Sequence, residues 1–338
     1  MIQTAIQTLL DGRDLGRDQA REVMGEIMAG DATPAQIGGF LVALRAKGES
    51  ADEIAGCAEA MRAHVLPVHP ARTDLVDVVG TGGDGSRTFN ISTTSAIVAA
   101  AAGAAVAKHG NRAVSSVSGS ADVLEALGFD LEQAPVRIAE SIDTLGFGFM
   151  FAPVHHPAMK HAAPVRRELG TRTIFNILGP LTNPAGARAG VFGVYSADVA
   201  RTVADALAVL DSHRAFVVHG AHGVDELSPA GPNLVFEVVD GDVHKRLVDP
   251  EALGIPHCDP SELAGGSPQE NAETARDVLG GTPGAKRDAV VLNAAGAIAA
   301  AGHATDLAEG LALAEEAIDS GAATARLAEL VAFSRQSS

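Results

Sequence analysis

The sequence predicts an α/β protein in which a small helical unit precedes a larger unit built on a mainly parallel sheet. Three observations carry this. Apolar residues in the first 65 positions recur at helical spacing behind capping signals. After Thr73, short apolar runs alternate with Ala-rich stretches, the pattern of strands and helices taken in turn. The composition, 46% hydrophobic with 4% aromatic residues and no Trp, is that of a close-packed Ala, Val, Leu and Gly interior.

Taken in order, Ala20, Val23, Met24, Ile27 and Met28 form one helical face. Thr33-Pro34-Ala35-Gln36 is a capping box with Pro at the first helical position, followed by the stripe Ile37, Phe40, Leu41 and Leu44. Ser50-Ala51-Asp52-Glu53 repeats the box before Ile54, Cys57, Met61 and Val65. Pro67 and Pro70 punctuate the chain, placing a helical unit at 1–66 and an α/β unit at 73–333. Leu75–Val79, Ala104–Ala107, Phe147–Phe151, Val191–Tyr195 and Ala215–Val218 read as buried strands, with helices over Val199–Leu210 and Ala289–Ala301. Ser334–Ser338 reads as a frayed tail.

With 338 residues the chain buries enough surface to need no structural metal or disulfide. Cys57 and Cys258 stand far apart in no ligand spacing, which fits a reducing compartment. The start has no basic region followed by an apolar core, and no apolar run reaches the ~20 residues that span a bilayer, so the expected location is cytoplasmic. A net charge of -17 repels nucleic acid and anionic membranes, and neither is an expected partner.

After the first strand comes Gly80-Thr81-Gly82-Gly83-Asp84-Gly85, then Ser86, Thr88, Asn90, Ser92, Thr93 and Thr94 ahead of an Ala-rich helix. Glycines let backbone amides close on a ligand, and hydroxyls at a helix start add donors where the macrodipole favours an anion, so this is a phosphate cradle. Three features count against a dinucleotide site: the helix starts too late, Asp84 sits inside the turn, and Ala99–Ala102 stand where a ribose-binding acid belongs. The next strand runs out into Lys108-His109-Gly110-Asn111-Arg112, followed by Ser115, Ser116, Ser118, Gly119 and Ser120, which places cations and hydroxyls opposite the glycines. Farther on, Asp225-Glu226 closes a glycine-rich loop after a strand. Adjacent acids there repel unless a cation bridges them, and magnesium takes such oxygens together with substrate phosphates. A zinc reading through His219, His222 and Asp225 has no further His or Cys nearby.

These residues resemble a known family. Asp77–Asp84, Thr88–Thr93, Lys108–Arg112, Arg166 in Pro164–Gly170, Phe175–Pro184 and Asp225-Glu226 together are similar to the anthranilate phosphoribosyltransferases of tryptophan biosynthesis, nearly end to end. The resemblance implies the nucleoside phosphorylase and phosphoribosyltransferase type of fold, a helical domain hinged to a larger α/β domain, with a segment near 160–180 returning to the helical side. It also implies a homodimer that binds phosphoribosyl diphosphate (PRPP), anthranilate and two magnesium ions per subunit. By position, PRPP would meet Gly80, Gly83, Asp84, Thr88, Asn90, Ile91, Ser92, Thr93, the loop Lys108, His109, Gly110, Asn111, Arg112, Ala113, Val114, Ser115 and Ser116, and Ser120. Ser92, Asp225 and Glu226 would hold magnesium. Gly80, Asn111 and Arg166 would meet anthranilate, and Lys108, His109, Asp225 and Glu226 are the expected catalytic residues. Val117 stands where some members carry a basic residue, which leaves that part of the diphosphate contact open. Nucleoside phosphorylases and a nucleic-acid-binding group on the same fold are the alternatives.

Overall fold

The computed structural model describes residues 1–113 and 117–336. Val114, Ser115 and Ser116, expected in the PRPP loop, lie outside the described residues, as do Ser337 and Ser338 of the expected tail. Helices α1 (Ile2–Leu10), α2 (Arg17–Ala29), α3 (Pro34–Lys47) and α4 (Ala51–Arg62) open the chain. Both expected capping boxes form. Thr33 Oγ1 accepts from the Gln36 amide at 3.3 Å while the Gln36 side chain accepts from the Thr33 amide at 2.8 Å. Glu53 serves its box and more: fully buried, it accepts from the Ser50 amide at 2.8 Å, the Leu15 amide at 2.9 Å and Lys47 Nζ at 2.9 Å. One capping acid thus ties three segments of the helical unit together.

Among the described residues one sheet contains β1 (Leu75–Gly80), β2 (Ala105–Gly110), β3 (Phe147–Phe151), β4 (Ala189–Gly193), β5 (Arg214–His219), β6 (Asn233–Val239) and β7 (Asp242–Val248). Their order is β3-β2-β1-β4-β5-β6-β7. The first five pair in parallel, whereas β6 and β7 add antiparallel. This hairpin departs from the sequence reading, although its turn, Asp240-Gly241 with φ of 47° and 90°, is a strong local signal. β7 escapes notice because its polar, exposed residues reflect an edge position. β2 also runs on to Gly110, so Lys108 and His109 stand on a strand and not beyond it. β4 sits two residues earlier than expected, and the last helix, Ala322–Ser334, orders the start of the expected tail: Ser334 Oγ accepts from the Asp130 amide at 3.0 Å.

Alternation along the strands divides the core. Val76, Val78, Val106, Phe149, Val191 and Phe216 face α5 (Ile91–Ala101) and the helix Ala285–Ala300. Phe192, Ala215 and Val217 face the helix Ala197–Val209 and share a core with α1 to α4. Ala162, Val165, Ile174, Phe175 and Leu178 belong to that second core. No helix among the described residues is long and apolar enough to cross a membrane.

From β1 the chain steps outward to β2 and β3, then returns to β4 on the other flank of β1. Such a reversal opens a crevice at the carboxyl ends of the two central strands. The acidic loop after β5 is pressed into that crevice. A Cβ on Gly193 would lie 1.5 Å from the Asp225 carbonyl oxygen, and one on Gly80 2.3 Å from Asp225 Oδ2. Behind the loop, the buried Asn293 side chain accepts from the Leu227 amide at 2.9 Å and donates to its carbonyl at 2.7 Å. Asn293→Leu leaves both groups without that partner, and urea unfolding should show a loss of about 3 kcal/mol. An unchanged midpoint would show that Asn293 does not anchor the loop.

Candidate active site

A cleft of about 690 Å³ lies over the carboxyl ends of the strands. Its floor is the glycine-rich loop. The Thr81 amide donates to the Gly193 carbonyl at 2.9 Å, and the Tyr195 amide donates to Thr81 Oγ1 at 3.2 Å. Gly82, Gly83 and Gly85 have φ of 67°, 70° and 80°, backbone that L side chains rarely adopt. Beyond them the Phe89 amide donates to the Leu263 carbonyl at 3.0 Å, and α5 then starts at Ile91.

Against this loop sit the acids. Asp225 Oδ2 accepts from the Gly82 amide at 2.6 Å, while the Asp225 amide donates to Asp84 Oδ2 at 3.3 Å. Glu226 Oε1 accepts from the Ser92 amide at 2.9 Å, in the first turn of α5, where the macrodipole favours an anion. Burial, reinforced by the Asp84 charge, pushes the Asp225 carboxyl up to about 7. Burial and the Asp225 charge push Glu226 well above the usual carboxylate range. Among the described residues neither forms a salt bridge with Lys or Arg. Oxygen donors that repel one another and lack a bridging base fit a hard divalent cation. The zinc alternative finds no support: His219 Nδ1 lies 3.0 Å from the Val194 carbonyl, and His222 occupies a turn with φ of 62°.

The end of β2 forms a second wall. Lys108 is buried and donates to the Val78 carbonyl at 2.6 Å; burial lowers its pKa, opposed by the charges of Asp77 and Glu226. Asp77, itself buried and pushed up to about 6, accepts from Asn183 Nδ2 at 2.7 Å and from the His109 amide at 3.3 Å. His109 Nε2 and His156 Nε2 are 3.1 Å apart, and burial depresses the two imidazoles to about 3 and about 4. Both are therefore neutral near pH 7. On the helical side, the half-buried Arg166 guanidinium lies 5.1 Å from the Phe175 ring centroid, with no hydrogen-bond or ion-pair partner among the described residues.

Every described residue expected in the site lines this cleft except Ile91, Thr93 and Ala113. Ile91 and Thr93 are 1% exposed, turned into the interior by the helix they begin, and the Ala113 amide is bound by Asp122 at 2.8 Å. Arg112 needs a correction too. It reaches the cleft rim, but its guanidinium is paired with Asp122 at 3.0 Å and Glu125 at 2.9 Å, so it is not a free cation facing the glycines. His156, Met159, Phe175 and Asn176 line the cleft without having been identified. Phe175 and Asn176 lie inside the matched run Phe175–Pro184, whereas nothing local distinguishes His156 from its neighbour His155.

A helical bundle set against an α/β unit, with a glycine-rich loop and buried acids at the cleft between them, is the architecture of a glycosyl transferase family. Residues 3–65 match the glycosyl transferase family helical bundle domain, and residues 72–324 match the glycosyl transferase family a/b domain. Anthranilate phosphoribosyltransferase from Moorella thermoacetica is 52% identical over 98% of both chains, and that from an Anaeromyxobacter species 53% identical over 99% of both. The crystal structure of anthranilate phosphoribosyltransferase from Thermus thermophilus superposes with a TM-score of 0.94 at 50% identity, covering 98% of this chain and 99% of that one. The Saccharomyces cerevisiae enzyme in complex with PRPP and Mg gives 0.89 at 30% identity, covering 98% and 97%. The chain belongs to the anthranilate phosphoribosyltransferase family, and neither the nucleoside phosphorylase nor the nucleic-acid-binding alternative is favoured.

The neutral His109 makes a pH prediction. Its pKa falls from 6.5 in the unfolded chain to about 3 when folded, so below pH 6.5 the unfolded state binds more protons. The stability this imidazole contributes is complete above 6.5 and is lost as pH falls toward 3. Wild-type stability relative to His109→Asn, measured by urea unfolding, should therefore decline from pH 7 to pH 4. A pH-independent difference would rule out a buried neutral His109.

Proposed function

We propose that the residues of this cleft divide one phosphoribosyl transfer into donor, metal and acceptor roles. The enzyme transfers the phosphoribosyl group of PRPP to the amine of anthranilate, giving N-(5-phosphoribosyl)anthranilate and diphosphate, a step of tryptophan biosynthesis. The observation that carries these roles is the meeting, in one cleft, of buried carboxylates, a glycine-rich loop and an unpaired guanidinium. Solved relatives support them, since the yeast enzyme is known in complex with PRPP and Mg and with 4-fluoroanthranilate.

PRPP lies along the loop from Gly80 to Ser92 and the end of β2, taking contacts from Gly83, Asp84, Thr88, Asn90, Lys108 and Ser120. Ser92, Asp225 and Glu226 would hold magnesium, two ions per subunit, which would supply positive charge to the departing diphosphate. Anthranilate sits toward the helical side near Gly80 and Asn111. Its carboxylate faces Arg166, whose planar fork matches it and which has no other ion partner among the described residues. The ribose C1–oxygen bond weakens first, the aromatic amine attacks C1 from the opposite face as diphosphate leaves with the bonding pair, and the proton released from nitrogen passes to water or to the departing diphosphate. An imidazole held near pKa 3, as His109 is, makes a poor proton acceptor. The protein's contribution is therefore orientation and electrostatics.

The helical unit 1–66 and the α/β unit 73–333 are proposed to move about the cleft, with the segment near 160–180 travelling with the helices whose core it shares. A homodimer and a cytoplasmic location complete the proposal. Exposed Leu10 and Val42, on the packed helices α1 and α3, support the former, and the free thiols Cys57 and Cys258 the latter.

Asp225→Ala and Glu226→Ala should each lower kcat at least about 100-fold and change the magnesium requirement, whereas His109→Ala should cost under about tenfold. Steady-state kinetics in which His109→Ala is the more damaging would refute this scheme. Arg166→Ala should raise the anthranilate KM roughly tenfold to a hundredfold with the PRPP KM little changed. An unaltered anthranilate KM would remove Arg166 from the acceptor site.

A further inference from the structure

We propose that Arg172 is a positioning residue that latches the PRPP loop to the helical side of the cleft. The inference rests on the reading of that loop as the PRPP site. Arg172 lies between the helix Ala163–Leu169 and the short helix Phe175–Leu178, on the segment whose Ile174 and Phe175 pack in the core of α1 to α4. Its guanidinium donates to the carbonyl of Gly83, 89 residues away in sequence, and stacks over the Tyr195 ring at 4.1 Å from the centroid.

Tyr195 completes the connection in two directions. Its amide donates to Thr81 Oγ1 at 3.2 Å, and the charge of Arg45 of α3, which approaches Glu49 at 3.9 Å, acts on its phenol. The loop is thus gripped on both sides of Gly82, the residue whose amide binds Asp225. Arg172 itself does not line the cleft, so it acts on PRPP through the loop and not by contact.

The reason for such a latch is entropic. A loop containing three glycines at positive φ has wide conformational freedom, and ordering it opposes ligand binding. A charge-assisted hydrogen bond to Gly83 together with a guanidinium–ring stack holds the amides in place before PRPP arrives. Lys in place of Arg keeps the charge but has no planar group to stack and donate at once.

The test compares wild type, Arg172→Ala, Arg172→Lys, Tyr195→Leu and the double variant Arg172→Ala/Tyr195→Leu. It uses steady-state kinetics and calorimetric titration of PRPP with magnesium. Arg172→Ala should raise the PRPP KM and dissociation constant about tenfold while the anthranilate KM stays within about twofold. Arg172→Lys should fall between it and wild type. Because the latch works only with both partners, the double variant should be no worse than the more affected single variant. Unchanged PRPP affinity in Arg172→Ala, equal losses for both substrates, or losses that multiply in the double variant would each overturn the latch. Failure of wild type itself to bind PRPP would instead overturn the reading of the loop.

Discussion

The structure depends on seating carboxylates, out of water, against bare backbone. Asp225 approaches the chain at Gly80 and Gly193 so closely that neither position has room for a side chain, and a Cβ on Gly220 would meet the Glu226 carbonyl oxygen at 2.1 Å. Like charges this close and this desolvated repel strongly. The fold offsets the repulsion with amides, those of Gly82 and Ser92, with the start of α5 and with the charge of Lys108 acting on Glu226, while among the described residues neither acid has a Lys or Arg ion-pair partner. The site keeps an unfilled demand for positive charge, one that a hard cation would answer.

Scaffold features that look unrelated follow from that seat. The order β3-β2-β1-β4-β5-β6-β7 puts the carboxyl ends of β1, β4 and β5 side by side, so that glycine loop and acidic loop can meet. Buried amides then fix the acidic loop from behind. Asn293 binds both backbone groups of Leu227, and Asn233 Oδ1 accepts from the Ser228 amide at 2.8 Å. Asn183 does the same for the neighbouring wall, bridging Asp77 and the Ala107 carbonyl at 2.7 Å each. Neutral polar groups are used where a further charge would compete with the cation.

The two sides of the cleft differ in character. The α/β side offers amides, hydroxyls and carboxylates suited to a phosphorylated donor and its metal. The helical side offers Phe175, Met159 and the unpaired Arg166, suited to a flat apolar ring bearing one carboxylate. Between them the His109–His156 pair remains uncharged near pH 7, so it adds no cation to the cleft.

Where the determining forces are local, the sequence by itself determined the outcome. Capping boxes at Thr33 and Ser50, apolar runs at β1, β3 and β5, the glycine cradle and the Asp225-Glu226 pair all depend on residue type and short spacing. What only the tertiary structure decided are contacts between distant segments. The Gly82 amide and Asp225 are 143 positions apart and Arg172 and Gly83 are 89 apart, so no periodicity encodes them. Arg112 was legible as a cation, but its engagement by Asp122 and Glu125 depends on how α6 (Ser120–Leu127) folds back beside it. The interior position of Thr93 follows from the packing of α5. Local patterns report what each segment prefers; packing decides which segments meet, and the chemistry of this site arises where they meet.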